Sequence, residues 1–322
     1  MRTLNSIALL AALATVCCHG QTQTEQKNVA AKAKVGAVFN VTANPDIPAS
    51  VEFAGETIQF DRLDMAERLD RELTSIIYGQ TSTLLCFKRA NRHFPVLAKI
   101  LKEQNVPLDF LYLACTESTM DTYAYSSAHA AGLWQLLAAT ARQYGLEVND
   151  DVDERYDPER STLAACKYLK AAYNKYGDWH TVAASYNAGM GRISGELSKQ
   201  GVDNSFDLHL VQETSRYVFR IIAYKLVFEN PKRYGYKLHT HQLYQPVECK
   251  TVEVSSSVAS WPSWAMQQGI TYAQLREANP WIRSTKLTNN SGKTHQVRIP
   301  LANDLYRSKR KFTAYSKAWV VD

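Results

Sequence analysis

The sequence predicts a mainly α protein in which a helical domain is followed by a small βααβ module. Between Ile58 and Asn230, apolar residues recur with the helical period. One such stripe is formed by Leu63, Ala66, Leu69, Leu73 and Ile76. Beyond about Tyr244 the period changes: ECKTVEV and KTHQVRIP alternate like strands and flank two short helical segments. A chain of 322 residues is long enough for one large core and a small second domain.

Residues 1–20 are typical of a secretory signal peptide, with Arg2, an apolar run and a small residue at Gly20. The protein is therefore expected to be exported to the periplasm or cell envelope. Membrane association would require lipidation of Cys17 or Cys18, and the residue before each cysteine is unusual for such a site. No later run reaches the ~18 apolar residues that a membrane span requires.

The remaining chain divides into four predicted parts. Residues 21–55 are polar, lack clear periodicity and are predicted to be a linker, followed by the helical domain at 56–243 and the βααβ module at 244–302. Residues 303–322 form a basic tail, which we expect to be solvated. Its alternating basic and aromatic residues raise the question of nucleic acid, but export argues against that partner. Attraction to an anionic cell wall or membrane surface is a modest alternative.

Cysteine and histidine spacing indicates neither a disulfide framework nor a metal site. Cys86, Cys115, Cys166 and Cys249 show no close-spaced pattern, so we interpret them as buried free thiols. There is no HExxH motif, no GxSxG and no glycine-rich phosphate loop. We expect no metal and no cofactor.

The segment LDFLYLACTES predicts an apolar helix with Glu117 in its last turn. Burial and the negative end of the helix dipole both raise the pKa of a carboxyl group. A carboxyl group that stays protonated near neutral pH is suited to act as a general acid. If Glu117 stood alone, a role as a helix cap or an ion-pair partner would explain it better. It is followed, however, by further polar groups that could form a site with it: Ser126, the sequence GLWQ ending at Gln135, and SYNAG at 185–189.

The ordered set ES…S…GLWQ…TARQYGL…VDERYDP…STLAACKYL…SYNAG…RYV…NPKRYG resembles the lytic murein transglycosylases, chiefly their membrane-bound type D group. This resemblance covers about residues 80–240 and implies a fold shared with goose-type lysozyme. It implies cleavage of the β-linkage between N-acetylmuramic acid and N-acetylglucosamine in peptidoglycan, with an anhydromuramoyl product.

The resemblance also implies roles for individual residues. It matches Glu117 to the single catalytic acid and base, and no second carboxylate is expected. The substrate-binding residues that it implies are Ser126, Gln135, Tyr186, Asn187 and Tyr217. Asp153, Glu154 and Asp157 are better explained by turn and capping roles. The sequence departs from the family pattern at three places. His129 stands where the family usually has Gly, Leu137 and Ala138 replace a common Met-Pro, and Phe219 replaces a common Pro.

The C-terminal module resembles a divergent LysM domain through its βααβ order and through LREANPW, followed by a strand ending in RIP. Ser255, Ser256 and Ser257 stand where such domains usually have Gly-Asp-Thr. Trp261, Trp264 and Trp281 are candidates either for stacking on sugars or for the module's core, and we favour the core for Trp264.

Two other functions remain compatible with these residues. A hydrolytic muramidase on the same fold would differ only in which hydroxyl attacks. An inactive wall-binding protein is disfavoured, because Glu117 and the residues matched around it are intact. The sequence does not indicate an oligomeric state.

Overall fold

Helices dominate the part of the chain that the computed structural model describes, residues 44–322. The predicted signal peptide and residues 21–43 of the predicted linker lie outside the described residues. The helices of the first domain are α1 (Leu63–Tyr78), α2 (Gln80–Glu103), α3 (Phe110–Ser118), α4 (Ala138–Gln143), α5 (Pro158–Tyr176), α6 (Trp179–Ala188), α7 (Met190–Gln200) and α8 (Gln212–Glu229). The mainly α prediction is confirmed. Within residues 44–322, no helix combines the length and apolar character needed to cross a membrane.

Residues 50–55, predicted as linker, instead belong to a folded hairpin. Strand β1 (Ser50–Phe53) pairs antiparallel with β2 (Glu56–Gln59). Val51 and Phe53 alternate with exposed residues and are buried, and the Phe53 ring packs 5.9 Å from that of Phe110. Each strand is only four residues long, so its alternation is too brief to stand out in the sequence.

Helix α8 lies at the centre of the helical domain, packed against α1, α3 and α6. Its buried side chains include Tyr217, Phe219 and Ile222, as expected for a helix that is apolar on most sides. On α1 the predicted core stripe is present from Leu69 to Ile76, but Leu63 is exposed and Met65 is buried near the helix start.

Aspartates cap the first turns of α5 and α6. Asp157 precedes Pro158 and accepts hydrogen bonds from the backbone N–H groups of Glu159 (2.9 Å) and Arg160 (3.0 Å) at the start of α5. Asp178 accepts from the backbone N–H of Thr181 (2.6 Å) at the start of α6. The position of Asp157 agrees with the sequence prediction, which explains this acid by capping.

The C-terminal module has the predicted βααβ order. Strand β3 (Cys249–Val254) pairs antiparallel with β4 (His295–Pro300), and between them lie α9 (Trp261–Gln267) and α10 (Tyr272–Ala278). Trp261 and Trp281 are buried in a small second core, whereas Trp264 is half-buried against it. Of the two alternatives left open by the sequence, the core is therefore confirmed for Trp261 and Trp281, whereas Trp264 is only partly covered by it.

The predicted solvated tail is also corrected, because its C-terminal residues return to the helical domain. Trp319 is 3% exposed, and its Nε1–H donates to the carbonyl of Phe228 at 2.8 Å. Its ring packs edge-on against Phe87, Phe94 and Phe228. Most of the tail's basic residues are exposed, whereas Trp319 and Val320 are buried and the Tyr315 ring packs against Phe94. Cutting the chain at residue 244 would thus remove part of the first core.

Candidate active site

Glu117 lies in the last turn of α3, as the sequence predicted. The helix ends at Ser118 because Thr119 adopts a left-handed conformation with φ of +48°. Phe110, Leu113 and Ala114 are buried on the same short helix, and Glu117 itself is half-buried. The carboxyl group is thereby placed at the edge of the core rather than on an open surface.

Tyr217 on α8 contacts the acid directly. It is 2% exposed, and its hydroxyl donates a hydrogen bond to Oε1 of Glu117. Burial raises the pKa of Tyr217 well above its ordinary value, so its hydroxyl remains protonated and available as a donor. The packing of α3 against α8 brings these two side chains together.

Burial raises the pKa of Glu117 to about 7. The hydrogen bond from Tyr217 and the positive charge of Arg220 oppose this rise, while the negative charge of Glu213 adds to it. A carboxyl group with a pKa near 7 is substantially protonated at neutral pH and can also exist there as a carboxylate. Both states are required of a group that first donates and then accepts a proton.

A buried acid on α1 fixes the arginine beside this pair. Glu72 is 2% exposed and accepts from Nε of Arg220 at 2.7 Å, from Arg71 at 2.7 Å, and lies 3.6 Å from Nε of Arg216. Glu72 thus ties α1 to the turns of α8 that flank Tyr217. Sequence reasoning missed this contact, since the two helices are 148 residues apart at Glu72 and Arg220.

Tyr186 joins α6 to the GLWQ sequence. Its hydroxyl donates to the backbone carbonyl of Trp134 at 2.7 Å, and its ring lies edge-on to Tyr168. Trp134 is fully buried, with Nε1–H donating to Oγ1 of Thr162 at 2.8 Å. Burial raises the pKa of Tyr186 well above its ordinary value, and the negative charge of Glu117 adds to this rise.

Residues 119–137 form an irregular segment, here called the cleft loop, that leads from Glu117 to α4. Gly132 has φ of +77°, and a Cβ added there would lie 2.0 Å from the carbonyl oxygen of Arg155. Only glycine fits this position. Gln135 also has a positive φ (+46°), and its Nε2–H₂ donates to the carbonyls of Ala124 (3.1 Å) and Gly132 (2.9 Å). The donors of Gln135 are therefore used within the loop.

Ser126 and His129 shape the same loop. The hydroxyl of Ser126 accepts from the backbone N–H of Ala130 at 3.1 Å. His129 has φ of +62°, a conformation that favours glycine, and its Nδ1 lies 2.6 Å from the hydroxyl of Tyr125. The glycine that the family usually has at this position would adopt this conformation without strain. His129 instead places an exposed ring there.

Asn187 is anchored at the other side of α6. Its Oδ1 accepts from the hydroxyl of Thr214 at 2.9 Å, which leaves the amide donors of Asn187 outside this contact. Within residues 44–322, no hydrogen bond joins Ser126, Gln135 or Asn187 to Glu117. Of the residues predicted from the sequence, the structure links only Tyr217 to the acid directly.

Other acids near the loop have partners of their own. Asp121 pairs with Arg89 at 2.8 Å, and Asp153 pairs with Arg155 at 2.7 Å. Of the other departures, Leu137 is exposed before α4, and Phe219 is buried against Phe60 and Phe206.

Two groups of side chains within residues 44–322 have the proximity that a metal ion would need. They are Glu56, Asp178 and His180, and Glu147, Glu154 and His295. In the second group the ammonium of Lys293 already lies 2.7 Å from Glu154 and 3.0 Å from Glu147. In the first, Asp178 caps α6. Neither group includes Glu117.

Comparison with known proteins identifies both parts of the chain. Residues 95–207 match the transglycosylase SLT domain, and residues 250–303 match the C-terminal LysM-like domain of soluble lytic transglycosylases. The chain therefore contains an SLT domain followed by a LysM-like domain. Glu117 lies within the SLT match, whereas Tyr217 lies beyond its end.

The chain is homologous to membrane-bound lytic murein transglycosylase D of Escherichia coli strain K12, with 32% identity over 204 residues. This match covers 62% of the chain and 44% of the relative, so the chain spans less than half of that protein's length. Peptidoglycan transglycosylase gp16 of Escherichia phage T7 is 39% identical over 83 residues, which is 25% of the chain and 6% of gp16. The crystal structure of the 70 kDa soluble lytic transglycosylase of Escherichia coli aligns with a TM-score of 0.39 at 19% identity, covering 50% of this chain and 30% of that one.

Proposed function

We propose that the protein is a peptidoglycan lytic transglycosylase that cleaves the bond between N-acetylmuramic acid and N-acetylglucosamine. The observation that carries this proposal is the Glu117 carboxyl group, half-buried at the end of α3, bonded to Tyr217, and with its pKa raised to about 7. The SLT domain that includes Glu117 and the homology to a lytic murein transglycosylase support it.

In the proposed reaction, protonated Glu117 gives its proton to the glycosidic oxygen as the bond from that oxygen to the muramic acid C1 breaks. The resulting carboxylate then takes the proton from the primary hydroxyl of the same muramic acid, whose oxygen bonds to C1 and closes an anhydro ring. Proton count is conserved, and Glu117 ends protonated. Tyr217 would stabilise the intermediate carboxylate by donating to it.

The other matched residues receive two kinds of role. Asn187, whose amide donors are not used in its hydrogen bond with Thr214, would bind the sugar directly. Ser126 and Gln135 would act mainly through the shape of the cleft loop, because their hydrogen bonds are made to its backbone. Tyr186 would form the cleft wall between α6 and Trp134.

We also propose that the LysM-like module contacts peptidoglycan. Half-buried Trp264 and Ser255–Ser257 line a cavity of about 580 Å³ beside β3, where an aromatic face and hydroxyl groups meet. Such a combination suits a sugar ring. With this substrate, the protein would act in the cell envelope.

Digestion of purified peptidoglycan sacculi, with mass analysis of the soluble products, tests the reaction. Anhydromuramoyl ends are expected with the wild-type protein and should be absent with Glu117→Gln. Reducing ends would assign the protein to the hydrolytic muramidases, and no release by the wild-type protein would contradict both assignments.

A further inference from the structure

Residues 147–157, here called the connecting segment, contact both the LysM-like module and the cleft loop. On one face, Val152 is fully buried in the core of the LysM-like module, beside Trp281 and Ile282. The backbone N–H of Asp153 donates to the carbonyl of Trp281 at 2.8 Å. The module's small core is therefore completed by a residue of the helical domain.

Polar contacts reinforce the same face. Lys293 of the module lies 2.7 Å from Glu154, which is 1% exposed, and Arg298 lies 2.5 Å from Asp157. The hydroxyl of Ser284 donates to Asp151 at 2.6 Å. The carboxylates of Glu154 and Asp157 are buried, so these pairs favour one relative arrangement, because removing a basic partner leaves a buried charge uncompensated.

The opposite face of the connecting segment supports the cleft loop through Arg155. This side chain is 6% exposed, and its Nη1–H₂ donates to the carbonyls of His129 (2.8 Å) and Leu136 (3.1 Å). Asp153 fixes the other edge of the guanidinium, at 2.9 Å from Nε and 2.7 Å from Nη2. The carbonyl of Arg155 also lies against Gly132, as described above.

We propose that the LysM-like module positions the cleft loop through the connecting segment, with Val152 and Arg155 as positioning residues. This inference rests on the proposed function of Glu117. Val152, Asp153 and Arg155 are almost adjacent in sequence, so a shift of the module relative to α5 moves the guanidinium that supports His129 and Leu136. Protein interiors are close-packed and transmit such shifts. The module is thus required for turnover as well as for contact with peptidoglycan.

A matched pair of valine variants in the full chain tests this. Val152 and Val297 are both fully buried in the module's core, but only Val152 belongs to the connecting segment. Initial rates with a short soluble peptidoglycan glycan give kcat and KM separately, and thermal melting gives stability. We expect Val152→Ala to lower kcat about 5-fold or more, a scale reached when reacting groups are slightly misplaced. Val297→Ala should leave kcat within about 2-fold at a comparable loss of stability.

Arg155→Lys provides a test that leaves the module's core intact. It keeps a positive charge beside Asp153 but cannot reproduce the paired donors toward His129 and Leu136. We expect a fall in kcat with KM little changed, together with faster hydrogen exchange of backbone amides in residues 126–136. If Arg155 affected only the structure of the LysM-like module, neither kcat nor the exchange of these amides would change.

Equal kcat values for the two valine variants, or an unchanged kcat for Arg155→Lys, would overturn the inference. If Val152→Ala does not fold, Ser284→Ala replaces it, because this change removes the 2.6 Å bond to Asp151 without opening the core. Ser291→Ala is its control, because this exposed hydroxyl bonds Asn289 at 3.3 Å within the module and does not contact the connecting segment. A wild-type protein inactive on the same glycan would overturn the proposed function instead, so the two failures are distinguishable.

Discussion

Glu117 adjoins two regions that are held by different means: a helical side formed by α3 and α8, and a loop side formed by the cleft loop. On the helical side, α3 and α8 pack together and bring Glu117 into contact with Tyr217. On the loop side, residues 119–137 contain non-glycine residues with positive φ, namely Thr119, Met120, His129 and Gln135. Helix packing fixes the acid, whereas individual side-chain to backbone hydrogen bonds fix the loop.

Substitutions on the two sides should therefore have different effects on activity and stability. A helical side that buries large apolar surfaces tolerates the loss of one polar contact without moving, so its variants should report on chemistry. The cleft loop depends on single hydrogen bonds and lacks such a packed surface, so the loss of one contact can change its conformation. Variants there should alter geometry and stability together.

The largest effect is expected for Glu117→Gln on the helical side. The amide retains size and some hydrogen bonding but cannot donate and recover a proton, so release of soluble products should fall at least ~100-fold. Thermal melting should show an intact fold, because an uncharged amide suits a site that already disfavours the carboxylate. Asp121→Asn, at an acid paired with Arg89, is the control and should retain most activity. Near-normal cleavage by Glu117→Gln would contradict the mechanism.

On the loop side, Gly132→Ala should reduce stability by about 2–3 kcal/mol, because the new Cβ would collide with the backbone of Arg155 and the residue would keep a positive φ. Denaturant unfolding measures this change. Gly195→Ala is the matched control: it lies within α7 with open space around its Cβ, so it should be neutral or stabilising by up to ~1 kcal/mol. Equal effects of the two changes would mean that the approach of Arg155 is not restrictive.

Tyr217→Phe should lower kcat about 10-fold, the scale of one lost hydrogen bond of ~1.4 kcal/mol, while the melting temperature changes little. The ring stays in the core, so the variant isolates the hydroxyl that bonds Glu117. Tyr224→Phe, on the same buried helix but without a recorded bond to the acid, is the control. A loss of stability proportional to the loss of activity would make the Tyr217 hydroxyl structural.

Sequence patterns predicted the helical side better than the loop side for a physical reason. The apolar surroundings of Glu117 and the buried character of α8 follow from side-chain periodicity, which reports burial directly. The pairing of Glu117 with Tyr217 depends on residues 100 apart and came only from the family resemblance. Within the loop, the contacts of Gln135 depend on its own positive φ. Because a positive φ is uncommon for residues other than glycine, a glutamine in the sequence does not indicate this conformation.

The corrections have a similar origin. Strands β1 and β2 are too short to show alternation clearly, and Trp319 lies in a basic run with no period. Arg155 belongs to a motif that the resemblance included, yet its bonds to His129 and Leu136 join segments that no local pattern relates. The βααβ order, by contrast, was predictable because the change from helical to alternating period is local.

The smallest expected effect is a shift in pH dependence that separates the two sides. Because the pKa of Glu117 is raised to about 7 and the first step needs the protonated acid, kcat/KM should fall as pH rises through about 7. The hydrogen bond from Tyr217 stabilises the carboxylate and so lowers this pKa. Tyr217→Phe should therefore move the fall to higher pH, by up to about one unit for a bond of ~1.4 kcal/mol. Gln135→Ala changes the loop without touching the acid and should lower the rate at every pH while leaving the midpoint in place. A shift of the midpoint in Gln135→Ala equal to that in Tyr217→Phe would show that the loop, and not the tyrosine hydroxyl, sets the proton affinity of Glu117.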